Sequence, residues 1–155
     1  MRSIFGVLLV SGCVGHLTPI QRVQEAANEL SVAARFGRMD VAAERVSRTA
    51  REGFVRQHAS WGNTVRVVDW ELSGLRLRDQ EHAEIMLTVN WQRLEDSELR
   101  ATQISQRWQD HRGAWLLESE ERIGGDVGLF GEPTTIVRPT TRQVQFESIT
   151  IPSNP

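Results

Sequence analysis

The sequence predicts an α+β domain in which N-terminal helices pack on a curved, cone-like, antiparallel meander of four strands. Three observations lead to this fold class. Apolar residues recur at helical spacing as far as residue 61, they alternate at strand spacing over 64–122, and short polar turns separate the predicted strands. Short connections imply antiparallel neighbours. Helices that precede such a sheet pack on one of its faces.

The helical region is predicted to open with a long first helix. Thr18 can act as its N-cap, because Pro19 suits the first helical position and Gln21 stands three residues after the cap. We expect Gly37 to end this helix.

Two shorter helices are predicted to follow. Asp40 is expected to cap the second, which runs from Val41 to Val46, and Ser47 is expected to begin the third. The third helix carries apolar and aromatic residues on one side, and Gly62-Asn63 ends it. These residues are Ala50, Phe54, His58 and Trp61.

Four strands are predicted after the helices. They span Thr64–Leu77, Ala83–Leu94, Leu99–Gln109 and Trp115–Arg122. In the first strand the apolar alternation slips near Val67-Val68 and again near Gly74, which predicts two β-bulges. The segment Asp110-His111-Arg112-Gly113 predicts a hairpin turn.

Residues 1–12 have the plan of an export signal. Arg2 supplies a positive charge, Ile4–Val10 is a short apolar run, and Ser11-Gly12 are small residues that a peptidase accommodates before a cut. The run is far shorter than the roughly 20 apolar residues of a membrane-spanning helix. We therefore expect residues 1–12 to be a signal peptide and 13–17 a linker.

Val10-Ser11-Gly12-Cys13 resembles the lipobox of bacterial lipoproteins. The resemblance implies cleavage between Gly12 and Cys13, a diacylglyceryl group on the Cys13 thiol, and acylation of the new amine by a chain such as palmitate. Several acyl chains together give stable anchoring. Val14 stands where an aspartate retains lipoproteins at the inner membrane, so the expected location is the bacterial cell envelope, on the periplasmic face of the outer membrane in a Gram-negative host.

The stretch from Thr18 to Arg122 resembles the nuclear transport factor 2-like superfamily, which includes the SnoaL-like and ketosteroid isomerase-like proteins. The resemblance is carried by Phe36-Gly37-Arg38-Met39-Asp40 after the first helix, and by Arg107-Trp108 followed by Gly113-Ala114-Trp115 in the closing hairpin. It implies curved strands that wrap into a cone with a cavity. Many members insert a further helix between strands, and none is predicted here, which suggests a shallower cone. The chain has no tyrosine, so the Tyr-based oxyanion hole of ketosteroid isomerase cannot be built.

Composition excludes several kinds of site. The net charge of −2 argues against nucleic-acid binding. Cys13 is the only cysteine, so no intramolecular disulfide or second thiol is available. The chain has no lysine for a phosphate loop and no G-x-S-x-G elbow. Its four histidines lack metal-ligand spacing, and we expect no metal and no cofactor. They are His16, His58, His82 and His111.

The candidate catalytic residues are His58 and Asp69, which would form an Asp–His pair if both faced the interior of the cone. The favoured interpretation is that Asp69 faces solvent and that His58 is a core histidine. The candidate binding residues are two tryptophans, which can line a pocket or simply fill the core, and two polar residues of the third strand, which can hold an anion or face water. They are Trp70, Trp91, Gln103 and Arg107.

Two segments close the chain. The glycine-rich stretch 124–132 is expected to cap the core through Leu129 and Phe130, or alternatively to form a lid. It ends the predicted domain, residues 18–132. The segment 133–155 is expected to be a mobile tail or, alternatively, to add as a strand to a partner's sheet.

Two functions fit these observations. The favoured one is a non-catalytic, lipid-anchored protein that binds another envelope protein. The alternative is a small-molecule binder or proton-transfer enzyme that uses the cavity of the cone.

Overall fold

The computed structural model describes residues 17–133 and confirms the α+β class. Three helices precede four strands, and a single 3-10 turn at Ala43–Arg45 follows the second helix. The elements are α1 (Pro19–Arg35), α2 (Met39–Ala42), α3 (Arg51–Gln57), β1 (Val65–Leu77), β2 (His82–Arg93), β3 (Arg100–His111) and β4 (Ala114–Gly125). The strands pair in the order β1-β2-β3-β4, and every pair is antiparallel. The predicted signal peptide, Gly12, Cys13 and the segment 134–155 lie outside the described residues.

The first helix begins as the sequence predicts. The Thr18 hydroxyl accepts a hydrogen bond from the Gln21 amide at 3.3 Å, and the Thr18 amide donates to Gln21 Oε1 at 2.8 Å. This reciprocal capping box satisfies two backbone donors at the N-terminus. Gly37, with a φ of +70°, follows Phe36 at the C-terminal end, as expected.

The two short helices differ from the prediction. The second starts at Met39, with Arg38 in the cap position, and the Asp40 side chain makes no cap hydrogen bond. The third helix starts at Arg51 and ends before His58, so His58 lies in the turn that follows it and Trp61 forms an isolated bridge with Val65. Gly53 lowers the helix propensity of this segment, in keeping with a helix that extends less than its apolar spacing suggests.

The bulges of β1 confirm the phase slips seen in its sequence. Its register against β2 shifts between Val67 and Asp69 and again between Leu72 and Gly74. Each bulge inserts one extra residue and bends the strand. Leu72 and Leu87 pair directly, so both lie on the same face of the sheet.

A further bulge lies in β4, where the sequence shows no slip. Trp108 pairs with Leu117, Arg107 with Ser119, and Gln106 with Glu120, which leaves one extra residue in β4. Because side chains alternate along a strand, this insertion reverses which β4 residues point inward from Ser119 to Arg122. A second register shift follows between Ile104 and Gln103. The first shift turns Glu120 into the core.

The core lies between the helices and one face of the sheet, which we call the inner face. Alternate residues of β2 on this face are buried against the apolar side of α1. They are Ile85, Leu87, Val89 and Trp91. Leu129 is buried and Phe130 packs against the same core, which confirms that the glycine-rich segment caps it.

Candidate functional site: a buried histidine–glutamate pair

His58 is held at the end of α3 by its own helix. Its backbone amide donates to the Phe54 carbonyl at 3.0 Å, and its ring Nδ1 lies 2.8 Å from the same oxygen. A carbonyl oxygen only accepts hydrogen bonds, so Nδ1 carries a hydrogen and donates. The other ring nitrogen, Nε2, is left to face the sheet.

Glu120 meets that nitrogen from β4. Its Oε2 lies 2.9 Å from His58 Nε2, and the two side chains are only 3% and 1% exposed. Glu120 Oε1 accepts a hydrogen bond from Gln106 Nε2 at 2.7 Å. A titratable pair therefore lies inside the core of a domain with few other buried polar side chains.

The orientation of Gln106 is fixed by Trp108. The indole Nε1 donates to Gln106 Oε1 at 3.0 Å. Because an indole N–H is only a donor, the amide oxygen must face Trp108, and the amide NH₂ must face Glu120. Glu120 Oε1 is thus an acceptor, and any proton on this carboxyl group lies on Oε2, opposite His58.

Glu120 Oε2 and His58 Nε2 therefore face each other, because the other polar atom of each side chain already has a hydrogen-bond partner. The approach is oblique, so neither atom has an in-line hydrogen-bond partner despite the short distance. The two atoms therefore have hydrogen-bonding capacity to spare for a third group.

Aromatic rings enclose the imidazole. The Phe54 ring centroid lies 4.0 Å away, Trp61 meets it edge-on at 4.4 Å, and Phe130 does so at 5.2 Å. Trp61 also donates from Nε1 to the Leu129 carbonyl at 2.9 Å. The segment after β4 is thereby fastened over the buried pair.

A small chamber adjoins the pair. It holds about 10 Å³ and is lined by both side chains together with Ser31 and Trp70. That volume is close to the minimum for one water molecule. A larger groove of about 390 Å³ opens between α1 and the inner face of β1 and β2. Trp70 and Leu87 line both spaces, so they form the wall between groove and chamber.

The predicted Asp–His pair does not form. Asp69 is exposed, as the favoured interpretation expected, and Glu120 takes its place beside His58. His58 is a buried histidine, also as expected, although its partner was missed. A signal for Glu120 was absent, because it stands within Glu118-Ser119-Glu120-Glu121, a run that resembles an exposed strand end.

The predicted binding residues separate into three places. Trp70 is half-buried at the wall of the groove. Trp91 is fully buried core and donates from Nε1 to Thr102 Oγ1 at 2.8 Å. Gln103 and Arg107 are exposed on the opposite, outer face of the sheet, where Arg107 donates to Ser119 Oγ at 2.7 Å. These four residues therefore form no common site.

His82 and His111 lie at strand ends and are partly exposed. His82 faces Asp79 at 2.9 Å and His111 faces Glu118 at 3.1 Å. Within 17–133, no group of three or more His, Cys, Asp and Glu side chains is placed to hold a metal ion. Over the same range, no helix has both the length and the apolar character needed to cross a membrane.

Comparison with known proteins supports the fold. The solution structure of a SEC-C motif containing protein from Rhodopseudomonas palustris is similar, with a TM-score of 0.53 and 13% sequence identity. The match covers 61% of this chain and 73% of that one. No protein-family profile and no curated protein matches the chain. At this identity the likeness concerns the fold alone.

Proposed function

We propose that the domain binds a small, uncharged and mainly apolar ligand, and that a lipid on Cys13 tethers it to the bacterial envelope. The observation that carries the binding proposal is the buried His58–Glu120 pair, set behind a wall of Trp70 from a groove of ligand size. The ligand enters the groove, and its polar end reaches the pair when Trp70 moves aside.

Stability alone does not account for the pair. Replacing a buried ion pair by well-packed apolar side chains is often neutral or stabilising, because both groups lose their hydration. A few polar groups placed beside an otherwise apolar pocket are typical of ligand-binding sites. The chain keeps this pair and orients it through Gln106 and Trp108.

The groove indicates the chemistry of the ligand. Its volume of about 390 Å³ lies in the usual range of ligand pockets, roughly 300–1,000 Å³. Its sheet side is apolar and includes Trp70 and Leu72, whereas α1 contributes amides such as Gln24 and Asn28 and the carboxylate of Glu25. An uncharged polar group reaches the buried pair more readily than an ion does, because an ion has a far larger desolvation cost in the apolar interior.

The helices precede a bulged antiparallel meander, and this order supports the resemblance to the nuclear transport factor 2-like superfamily, whose cone-shaped sheets enclose a cavity. We extend that resemblance only to a ligand cavity. The second candidate function is binding of another envelope protein. It is favoured by three largely exposed apolar residues, but these lie on separate elements and give no role to the buried pair. They are Phe36, Leu94 and Leu99.

A matched pair of substitutions tests ligand binding. Leu72 faces the groove and Met86 faces outward, yet both are 40% exposed. With N-phenylnaphthylamine as an uncharged fluorescent probe, Leu72→Glu is expected to weaken binding by about tenfold or more, because a carboxylate beside an apolar ligand must be desolvated. Met86→Glu is expected to leave the affinity unchanged. Absence of binding by the unaltered chain, or equal losses in both variants, would contradict the proposal.

The anchor has a separate test. Cells that express the full chain are grown with labelled palmitate, and the label is expected in the purified protein. Cys13→Ser is expected to abolish it, because Cys13 is the only thiol. Labelling that persists in Cys13→Ser would refute the anchor without affecting the ligand site.

A further inference from the structure

We propose that the C-terminal segment Gln143–Ile151 docks along the free edge of β1 as a fifth strand, parallel to β1. The segment lies outside the described residues, and the inference is independent of ligand binding. It rests on the state of the β1 edge, on a spacing shared by two parts of the sequence, and on the place where the described chain ends.

Within residues 17–133, the outer edge of β1 has no strand partner over most of its length. β1 pairs with β2 on one side. On the other side, the described residues contribute only the bridge between Trp61 and Val65. An edge left open from Asp69 to Leu77 presents backbone N–H and C=O groups to any added strand. β4 at the opposite edge is partly covered, since the Ser47 amide donates to the Leu117 carbonyl.

The apolar spacing of β1 is repeated in the C-terminal segment. From Trp70 to Leu77 the inner-face residues of β1 follow one another at intervals of two, three and two, and the longer interval is the bulge at Ser73. The same spacing begins at Val65, but there the edge is already occupied by the bridge to Trp61. The segment contains four apolar residues at the same intervals. The two sets are Trp70, Leu72, Leu75 and Leu77 in β1, and Val144, Phe146, Ile149 and Ile151 in the segment. A parallel strand in this register keeps every apolar residue on the inner face, with Glu147 beside the bulge.

The end of the described chain favours the parallel direction. Gly131 and Glu132 line a cavity together with Thr64 and Val65, so the chain leaves the domain near the start of β1. Parallel docking then begins beside Trp70, roughly 17 Å along the strand at about 3.3 Å per residue. Antiparallel docking would begin beside Leu77, roughly 40 Å away. The residues from Pro133 to Val144 reach that far only when fully extended.

Disulfide trapping tests both docking and direction. In the full chain carrying Cys13→Ser, introduced cysteines are the only thiols. Glu71→Cys with Gln145→Cys joins parallel neighbours, and Glu71→Cys with Thr150→Cys joins the neighbours of the antiparallel register. Adjacent strands meet the Cα separation of about 4.4–6.8 Å that a disulfide needs. The loop from residue 71 to residue 145 is nearly as long as the loop from 71 to 150. If the tail is not docked, the two disulfides would therefore form at rates within about twofold of each other.

We expect the Gln145 pair to oxidise at least about tenfold faster than the Thr150 pair, because only docked neighbours stay within disulfide distance. Phe146→Asp is expected to remove this advantage, and Gln143→Asp, which alters an outward position, to preserve it. Similar rates for both pairs would overturn docking, and a faster Thr150 pair would overturn the parallel register. A product that runs as a disulfide-linked dimer would show that the tail of a second copy occupies the edge, which also overturns the proposal. The fluorescent-probe measurement reports on the groove separately, so failure of either idea is recognisable.

Discussion

His58 and His111 each face a glutamate of β4, yet the two pairs lie in opposite environments. Glu120 and His58 are almost fully buried at 2.9 Å, whereas Glu118 and His111 are 31% and 46% exposed at 3.1 Å. Solvent screens an exposed pair and the side chains lose entropy in forming it, so its net contribution is small. A buried pair has no such screening, and removing one partner leaves the other without hydration. The position of each glutamate relative to the β4 bulge, rather than its chemical identity, therefore decides whether its pair with histidine is exposed and weak or buried and strongly coupled to stability.

The largest expected effect comes from breaking the buried pair. Glu120→Ala removes the partner of His58 and the acceptor of Gln106, and it is expected to lower the free energy of unfolding by about 3–5 kcal/mol. Glu118→Ala, on the same strand, is expected to cost about 0–1 kcal/mol. Urea denaturation followed by circular dichroism measures both. Equal costs would show that the two environments do not differ energetically.

A smaller effect is expected from the amide that orients the pair. Gln106→Leu leaves the Trp108 indole without its acceptor and Glu120 Oε1 without its donor, so a loss of about 1–3 kcal/mol is expected. Gln103→Leu, at an exposed position of the same strand, is expected to change stability by less than about 0.5 kcal/mol. The same denaturation measurement applies. If the Gln103 variant loses as much free energy of unfolding as the Gln106 variant, the hydrogen bonds of the Gln106 amide add no stability of their own.

The smallest effect concerns the exposed pair of Asp79 and His82. The Glu81 amide donates to the Asp79 carboxylate, His82 lies beside it, and together they hold its pKa below the ordinary 3.8. Because the folded-state pKa is lowered, any stabilisation is present above the unfolded value and is lost as the pH falls towards the folded one. An NMR titration should place the Asp79 pKa below 3.8, and His82→Ala should raise it only part of the way, since the backbone donors remain. Complete restoration of the ordinary value would show that His82 is the main cause.

The meander was predictable because its signals are local. Alternation in β2 identified the inner face, and the apolar slips of β1 located both of its bulges. The turn at Arg112-Gly113 was also predictable, and both residues adopt positive φ values of 58° and 92°, as such tight hairpin turns require. The predicted bounds of the two short helices were less accurate, since packing rather than propensity sets where these helices begin and end.

The candidate site was only half predictable. His58 was singled out by its place among Phe54 and Trp61, and contacts of 4.0 and 4.4 Å confirm that grouping. Its partner was expected to be Asp69, if any, because nothing in the sequence marks Glu120. The β1 slips were visible because apolar residues stand on both sides of each bulge. In β4 no large apolar residue follows Leu117 until Ile123, so the bulge leaves no trace in the pattern.

The sequence by itself determined the fold class, the four strands, the inner face of β2 and the cap of α1, because each depends on residues close together in the chain. It also supplies the grounds for the proposed anchor at Cys13. Only the tertiary structure decided that Glu120 points inward, that Gln106 and Trp108 orient it, and that Trp70 separates the pair from a groove. These features depend on register between strands and on packing across the core, and a shift of one residue in register is enough to reverse them.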